Sequence, residues 1–167
     1  GLKMVEEKTG IPVLGVVPYI RVDIDDEDSL APRLSAKSEV KPLDIAIIRI
    51  PRMSNFTDFA PLEAHPIIGV RYVESAKELR SPDMVIIPGT KSTMDDLLWM
   101  RQNGIESAIQ KLASSGTPVL GVCGGYQMMG EKLSDPNHIE GDLEEMHGMG
   151  LLPTETTFTN LKTRTRF

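Results

Sequence analysis

From residue 43 onward, short apolar runs alternate with stretches whose apolar positions recur at helical spacing. The runs at residues 44–50, 67–73, 83–87 and 118–122 are rich in Ile and Val and too short for packed helices. They read as strands of a parallel sheet, and residues 118–122 as one buried on both faces. Between them, residues 75–80 fit a short connector or a helical turn, and residues 93–101 fit a helix entered through Ser92 as N-cap with Asp95 at the capping-box position. Residues 105–114 place Ile105, Ala108, Ile109 and Leu112 on one helical face. Strand alternating with helix predicts an α/β fold with a doubly wound, mostly parallel sheet.

The flanking segments pattern differently. Residues 2–9 read as a helix closed by Gly10 in the left-handed conformation, and residues 11–20 as a buried strand with a turn at Pro18. Asp23, Asp25, Asp26, Glu27 and Asp28 precede a mixture of Ser, Ala, Pro and Lys, which is linker composition. The acidic run lacks the glycine and terminal glutamate of a calcium loop, so no metal site is assigned to it. Beyond the fourth strand, residues 126–133 predict a helix with Met128 and Met129 as core filler. Residues 134–137 predict a turn, 150–153 an edge strand, and 154–167 a strand pair or loop.

Candidate chemistry centres on Cys123, the single cysteine, where the fourth apolar run ends. Gly121, Gly124 and Gly125 flank it closely, as a sharp strand-to-helix turn requires when neighbouring backbones approach each other. The stretch is a nucleophile elbow with sulfur in place of the serine oxygen. Lone cysteines are more often buried and structural, but the glycine bracket favours the elbow. At a helix N-terminus, unpaired N–H groups favour thiolate over thiol. The N–H of Gly124 then faces the place where an oxyanion would form, which is the arrangement for acyl transfer from an amide or ester. Gln127, one helical turn on, lies on the same side and is a candidate substrate ligand.

Other positions are less specific. The loop 51–61 holds Ser54, Asn55, Thr57 and Asp58 between Phe56 and Phe59. It reads equally as a ligand loop at the carboxyl edge of a strand or as a capping loop with both phenylalanines in the core. Lys91 fits either a substrate-carboxylate contact or an exposed helix-entry lysine, and His65 beside Pro66 reads as a loop residue. Gly89-Thr90-Lys91-Ser92 is the nearest approach to a phosphate loop, but its lysine does not follow the second glycine that the cradle needs.

Composition narrows the classes. A formal charge of −6 without clustered Lys or Arg argues against a nucleic-acid partner. A single cysteine excludes an internal disulfide framework and a CxxC metal site, which fits a reducing cytoplasmic setting. No apolar run reaches membrane-spanning length.

The sequence G-V-C-G-G-Y-Q-M-M-G around Cys123 resembles the nucleophile motif of class I glutamine amidotransferases, in particular the cobyric acid synthase branch. Residues 49–59 (R-I-P-R-M-S-N-F-T-D-F), 87–93 (I-P-G-T-K-S-T), Asp135-Pro136 and 148–153 (G-M-G-L-L-P) resemble that family's blocks in its order. The resemblance implies a flavodoxin-like sheet and catalysis on free glutamine. It further implies an oxyanion hole from the backbone N–H groups of Gly89 and Gly124, and a catalytic histidine on a downstream loop that these residues do not include. It implies three segments: 1–20 as the tail of an ATP-dependent synthetase domain, 21–42 as linker and 43–167 as an amidotransferase domain incomplete at its C-terminus. ATP and Mg²⁺ are implied for the synthetase domain and no cofactor for this chain, with a cobalt-corrin as the acceptor amidated in cobalamin biosynthesis. A related amidotransferase acting on cobyrinate or a cell-wall precursor, and a non-catalytic flavodoxin-like docking domain, remain open alternatives at this point.

Overall fold

The computed structural model describes residues 2–16 and 41–160, so readings placed on 17–40 and 161–167 lie outside the described residues. Helix α1 (Leu2–Thr9) ends as its sequence requires: Gly10 has φ 69, and its N–H donates to the carbonyl of Glu6 at 2.8 Å. The strand expected from residue 11 does not form across 11–16, where Leu14 is 97% exposed. An apolar run becomes a strand only where a neighbouring strand completes its hydrogen bonds, and none of the described residues pairs with these.

All four strands expected in the sheet are present. They are β1 (Leu43–Ile48), β3 (Ile68–Val73), β4 (Met84–Ile87) and β6 (Val119–Gly121), joined in the order β3-β1-β4-β6 with every pair parallel. The chain therefore runs outward from β1 to β3, then crosses back to β4 on the other side. This reversal makes the gap between β1 and β4 the switch point of a flavodoxin-like doubly wound sheet, the place where its loops diverge to receive ligands. A short antiparallel ribbon bridges that gap: β2 (Met53–Ser54) after β1 pairs with β5 (Gly89–Thr90) after β4.

Between β2 and β3 lie a 3-10 turn (Phe56–Phe59) and α2 (Ala60–Glu63). Phe56 and Phe59 are both buried, so the loop is anchored in the core while Ser54 stays at the sheet edge. Helices α3 (Ala76–Leu79), α4 (Thr93–Gln102) and α5 (Ile105–Ser114) match the helical stretches in the sequence. On α5 the buried positions Ile105 and Ile109 and the partly buried Ala108 and Leu112 form the expected apolar face.

The expected helix over 126–133 is shorter and begins earlier, as α6 (Gly124–Met128). Its continuation becomes β7 (Lys132–Ser134), which pairs antiparallel with β8 (Glu145–His147) and parallel with β9 (Glu155–Thr157). The chain leaves the helix where the N–H of Glu131 donates to the carbonyl of Thr154 at 2.7 Å. Long-range pairing overrides helical spacing at this point. Residues 150–153 are bends between these strands, not the expected edge strand, because their amides turn back onto Gly130 and Met129. Met128 and Met129 are buried, as core filler should be.

The reading of residues 118–122 as a strand buried on both faces needs correction. Strand β6 pairs with β4 alone among the described residues, and Leu120 is 48% exposed. A strand on the rim lacks the second strand neighbour that β4 has in β1.

Candidate active site

Cys123 follows β6 directly and stands at the N-cap of α6, with φ 50 and ψ −112. A non-glycine residue in this region stores about 1–3 kcal/mol of backbone strain, so surrounding contacts must impose it. They do so from three directions. The N–H of Val122 donates to the carbonyl of Ile87 at 2.9 Å, which brings the end of β6 alongside that of β4. The N–H of Gly125 donates to the carbonyl of Val122 at 2.8 Å, and that of Gln127 to the carbonyl of Cys123 at 3.1 Å. At Gly125 a side chain is excluded, since a Cβ would lie 2.1 Å from the carbonyl oxygen of Ile87. The cysteine is left exposed at the carboxyl edge of the sheet.

Gly89 is next to it. A Cβ on Gly89 would lie 3.7 Å from the Cβ of Cys123 and 3.1 Å from Ser54 Oγ, so Cys123, Gly89 and Ser54 surround one small space. Gly124 closes against Thr90, whose Cγ2 would be 2.7 Å from a Cβ there. Thr93 Oγ1 lies 3.2 Å from the same point and 3.3 Å from Gln127 Oε1.

Two buried carboxylates fix these neighbours: Asp96, which the sequence reading passed over, and Asp135, which it named only within an Asp-Pro block. Asp96 Oδ2 accepts the N–H of Arg52 at 3.1 Å and the hydroxyl of Thr90 at 2.5 Å, while Oδ1 accepts Arg52 Nη1 at 3.0 Å. Hydrogen bonds to a charged group typically contribute about 1.5–3 kcal/mol each. Asp135 accepts the N–H groups of Ile139 and Glu140 at 2.8 and 2.7 Å. Burial pushes its carboxyl up, but backbone N–H donors at Ile139, Glu140 and Gly141, with the nearby His138, outweigh that and hold it below the usual carboxylate range.

The loop shaped by Asp135 delivers Glu140 to the start of α4, where Oε2 accepts the N–H of Thr93 at 2.7 Å and Oε1 its hydroxyl at 3.1 Å. Glu140 thus takes the capping role expected of Ser92. Ser92 occupies the N-cap position, but its buried hydroxyl has no hydrogen-bond partner among the described residues, and Asp95 faces Arg52 Nη2 at 3.3 Å instead of closing a capping box.

Comparison with protein-family profiles matches residues 44–167 to the CobB/CobQ-like glutamine amidotransferase domain. The chain belongs to that family. Among curated proteins it is 54% identical over 166 residues to a cobyric acid synthase of Ruminiclostridium cellulolyticum, covering 99% of this chain and 32% of the relative. It is 49% identical over 168 residues to a cobyric acid synthase of Lachnoclostridium phytofermentans, covering 98% and 32%. The chain thus spans about a third of the length of the curated relatives it matches. Among solved structures, a peptidase E-like protein from Listeria monocytogenes superposes with TM-score 0.54 at 16% identity, covering 70% of this chain and 66% of that one. A glutamine amidotransferase superposes with TM-score 0.52 at 17% identity, covering 68% and 55%. Both support the α/β fold.

Within this CobB/CobQ-like domain the structure gathers Cys123, Gly89 and Gly124 at one point, with Gln127 linked to it through Thr93. The three histidines are engaged elsewhere. His138 Nδ1 pairs with the carbonyl of Gly141 at 3.2 Å and its Nε2 faces Glu144 at 3.6 Å. His147 lies on β8 opposite Lys132, beyond the far end of α6, and His65 Nδ1 accepts the N–H of Ile67 at 3.4 Å. Lys91 is exposed. Among the described residues no group of three or more His, Cys, Asp or Glu is placed to hold a metal ion, and no helix is long and apolar enough to cross a membrane. Asp96 and Glu140 had only weak local signals: an acidic first turn in α4, and an Asp-Pro turn before an acidic stretch.

Proposed function

We propose that this chain is the glutaminase portion of a cobyric acid synthase. The single observation that carries the reading is the strained, exposed backbone of Cys123 between β6 and α6, the geometry of a nucleophile elbow. Sγ of Cys123 adds to the side-chain amide carbon of glutamine, and the thiol proton passes through a base to the departing nitrogen. The tetrahedral oxyanion is met by the backbone N–H groups of Gly89 and Gly124, and Gln127 orients the substrate. Ammonia leaves, and water cleaves the remaining thioester to glutamate and free thiol. We assign the base to none of His65, His138 or His147: the rings of His65 and His138 hold other partners, and His147 lies on β8 opposite Lys132.

In this reading residues 43–167 are the amidotransferase domain, 21–42 the linker and 1–20 the tail of a synthetase domain. That domain uses ATP and Mg²⁺ to amidate corrin carboxylates, taking adenosylcobyrinic acid a,c-diamide to cobyric acid in the cytoplasm. Residues 89–92, the nearest approach to a phosphate loop, do not fit the nucleotide. Gly89 is packed between Ser54 and Cys123, and the Thr90 hydroxyl is bound to Asp96, so residues 89–92 offer no phosphate cradle.

The test is glutamine-dependent ammonia release by the complete gene product, with and without the corrin diamide and ATP. Cys123→Ala should lower glutamine hydrolysis by roughly 10⁴-fold or more, while His138→Ala and His147→Ala should stay within about twofold of wild type. Hydrolysis that survives Cys123→Ala defeats the reading. Loss of it in either histidine variant, with folding intact, shows that the base is misassigned.

A further inference from the structure

We infer that Asp96 is a positioning residue for the glutamine-hydrolysing centre: its buried carboxylate clasps the loops after β1 and β4 and sets the wall that faces Cys123. The side chain of Asp96 is 0% exposed on α4 and accepts from Arg52 N, Arg52 Nη1 and Thr90 Oγ1. Arg52 lies just beyond β1 and Thr90 just beyond β4. One carboxylate therefore ties together the two strand ends on either side of the switch point.

The clasp reaches the reaction centre through short steps. The carbonyl of Arg52 accepts the N–H of Lys91 at 3.0 Å, which with the Met53↔Thr90 and Ser54↔Gly89 pairs fixes the register of the β2–β5 ribbon. That register places Gly89 and Ser54 Oγ around the space beside the Cys123 Cβ. The Thr90 hydroxyl has one proton, and its best acceptor is Asp96 Oδ2 at 2.5 Å. This bond presses the other branch of Thr90, its methyl group, against Gly124. The Thr90 rotamer is thus set by Asp96 on one side and bears on the proposed oxyanion donor on the other. A carboxylate suits the task because it only accepts, whereas an amide there would turn a donor toward donors.

The inference rests on the proposed glutaminase activity, and its test separates the two. In the complete gene product, kcat and KM for glutamine, the alkylation rate of Cys123 by iodoacetamide and the melting temperature are measured for Thr90→Val, Thr90→Ser and Asp96→Asn. Thr90→Val keeps the branched shape and removes the hydroxyl, so kcat should fall about 10- to 100-fold, the scale of a small misplacement at a reacting centre. KM should stay within about threefold, and alkylation, which does not need the wall, should be unchanged. Thr90→Ser should recover most of kcat, and Asp96→Asn should lose at least as much as Thr90→Val. A Thr90→Val enzyme with wild-type kcat overturns the inference while leaving the glutaminase intact, as does a loss of kcat matched by an equal loss of alkylation. A wild-type protein without Cys123-dependent hydrolysis overturns the reading and the inference together. Should Asp96→Asn fail to fold, the Thr90 pair decides alone.

Discussion

Strands β4 and β6 have nearly the same apolar reading, lie side by side in register and end on the same edge of the sheet, yet one is central and the other forms the rim. Ile86 of β4 is 1% exposed, and its direct partner in β6, Leu120, is 48% exposed. The difference comes from neighbours: β4 lies between β1 and β6, while β6 has β4 alone among the described residues. Cys123 extends from the rim strand and leans on the central one. Its backbone is held from the β4 side by Ile87, Gly89 and Thr90, whereas Leu120 and Tyr126 around it remain exposed. The closed side supplies rigid geometry, and the open side supplies access.

The largest structural effect should come from breaking the contact between the two strands at the elbow. In Gly125→Ala the new Cβ falls 2.1 Å from the carbonyl oxygen of Ile87, a backbone atom that cannot rotate away. The cost should exceed the about 1–3 kcal/mol typical of overpacking, because the elbow itself must shift off β4. Chemical denaturation should show the loss, and Cys123 alkylation should change with it. Unchanged stability would mean that the elbow does not depend on this contact.

The comparison of the strands is sharpened by truncating the registered pair. Ile86→Ala should cost about 2–5 kcal/mol as a core deletion, and Leu120→Ala less than about 1 kcal/mol in the 167-residue chain. Equal costs would show that β6 is covered as fully as β4. The same pair measured in the complete gene product would report whether another part of it packs over Leu120.

These contrasts also define what the sequence could reveal. The sheet strands, α4, α5 and the elbow were legible because each depends on a local pattern: an apolar run, a helical spacing, a glycine bracket. The β7–β8–β9 sheet was not, because β7 joins partners from residues 145–147 and 155–157 and has no local period of its own. The cap on α4 was misread for the same reason. Ser92 has the right residue type in the right place, but a carboxylate 47 positions away from Thr93 reaches the N–H groups first. Residues 11–16 have a strand's composition without a neighbouring strand among the described residues. Burial of the Cys123 strand was overestimated because apolar composition does not distinguish the centre of a sheet from its rim. The turn at Cys123 and its glycines was readable, whereas the hydrogen bonds of Asp96 and Glu140 join residues more than forty positions apart.

The smallest expected effect concerns the loop that delivers Glu140, which belongs to neither strand and is held by Asp135. Backbone N–H donors lower the Asp135 carboxyl in the folded protein relative to the unfolded chain, where an aspartate titrates near about 3.9. A lowered folded value means that the stabilisation is complete above the unfolded value and is lost as pH falls through the folded one. Melting temperature measured between about pH 3 and 7 should therefore fall more steeply on the acid side for wild type than for Asp135→Asn. The variant should melt lower at neutral pH, since its amide turns an N–H group toward the donors of Ile139 and Glu140. The two curves should converge toward pH 3. A constant offset across the range would show that the ionised carboxylate is not what holds the loop, and that Glu140 reaches Thr93 by packing alone.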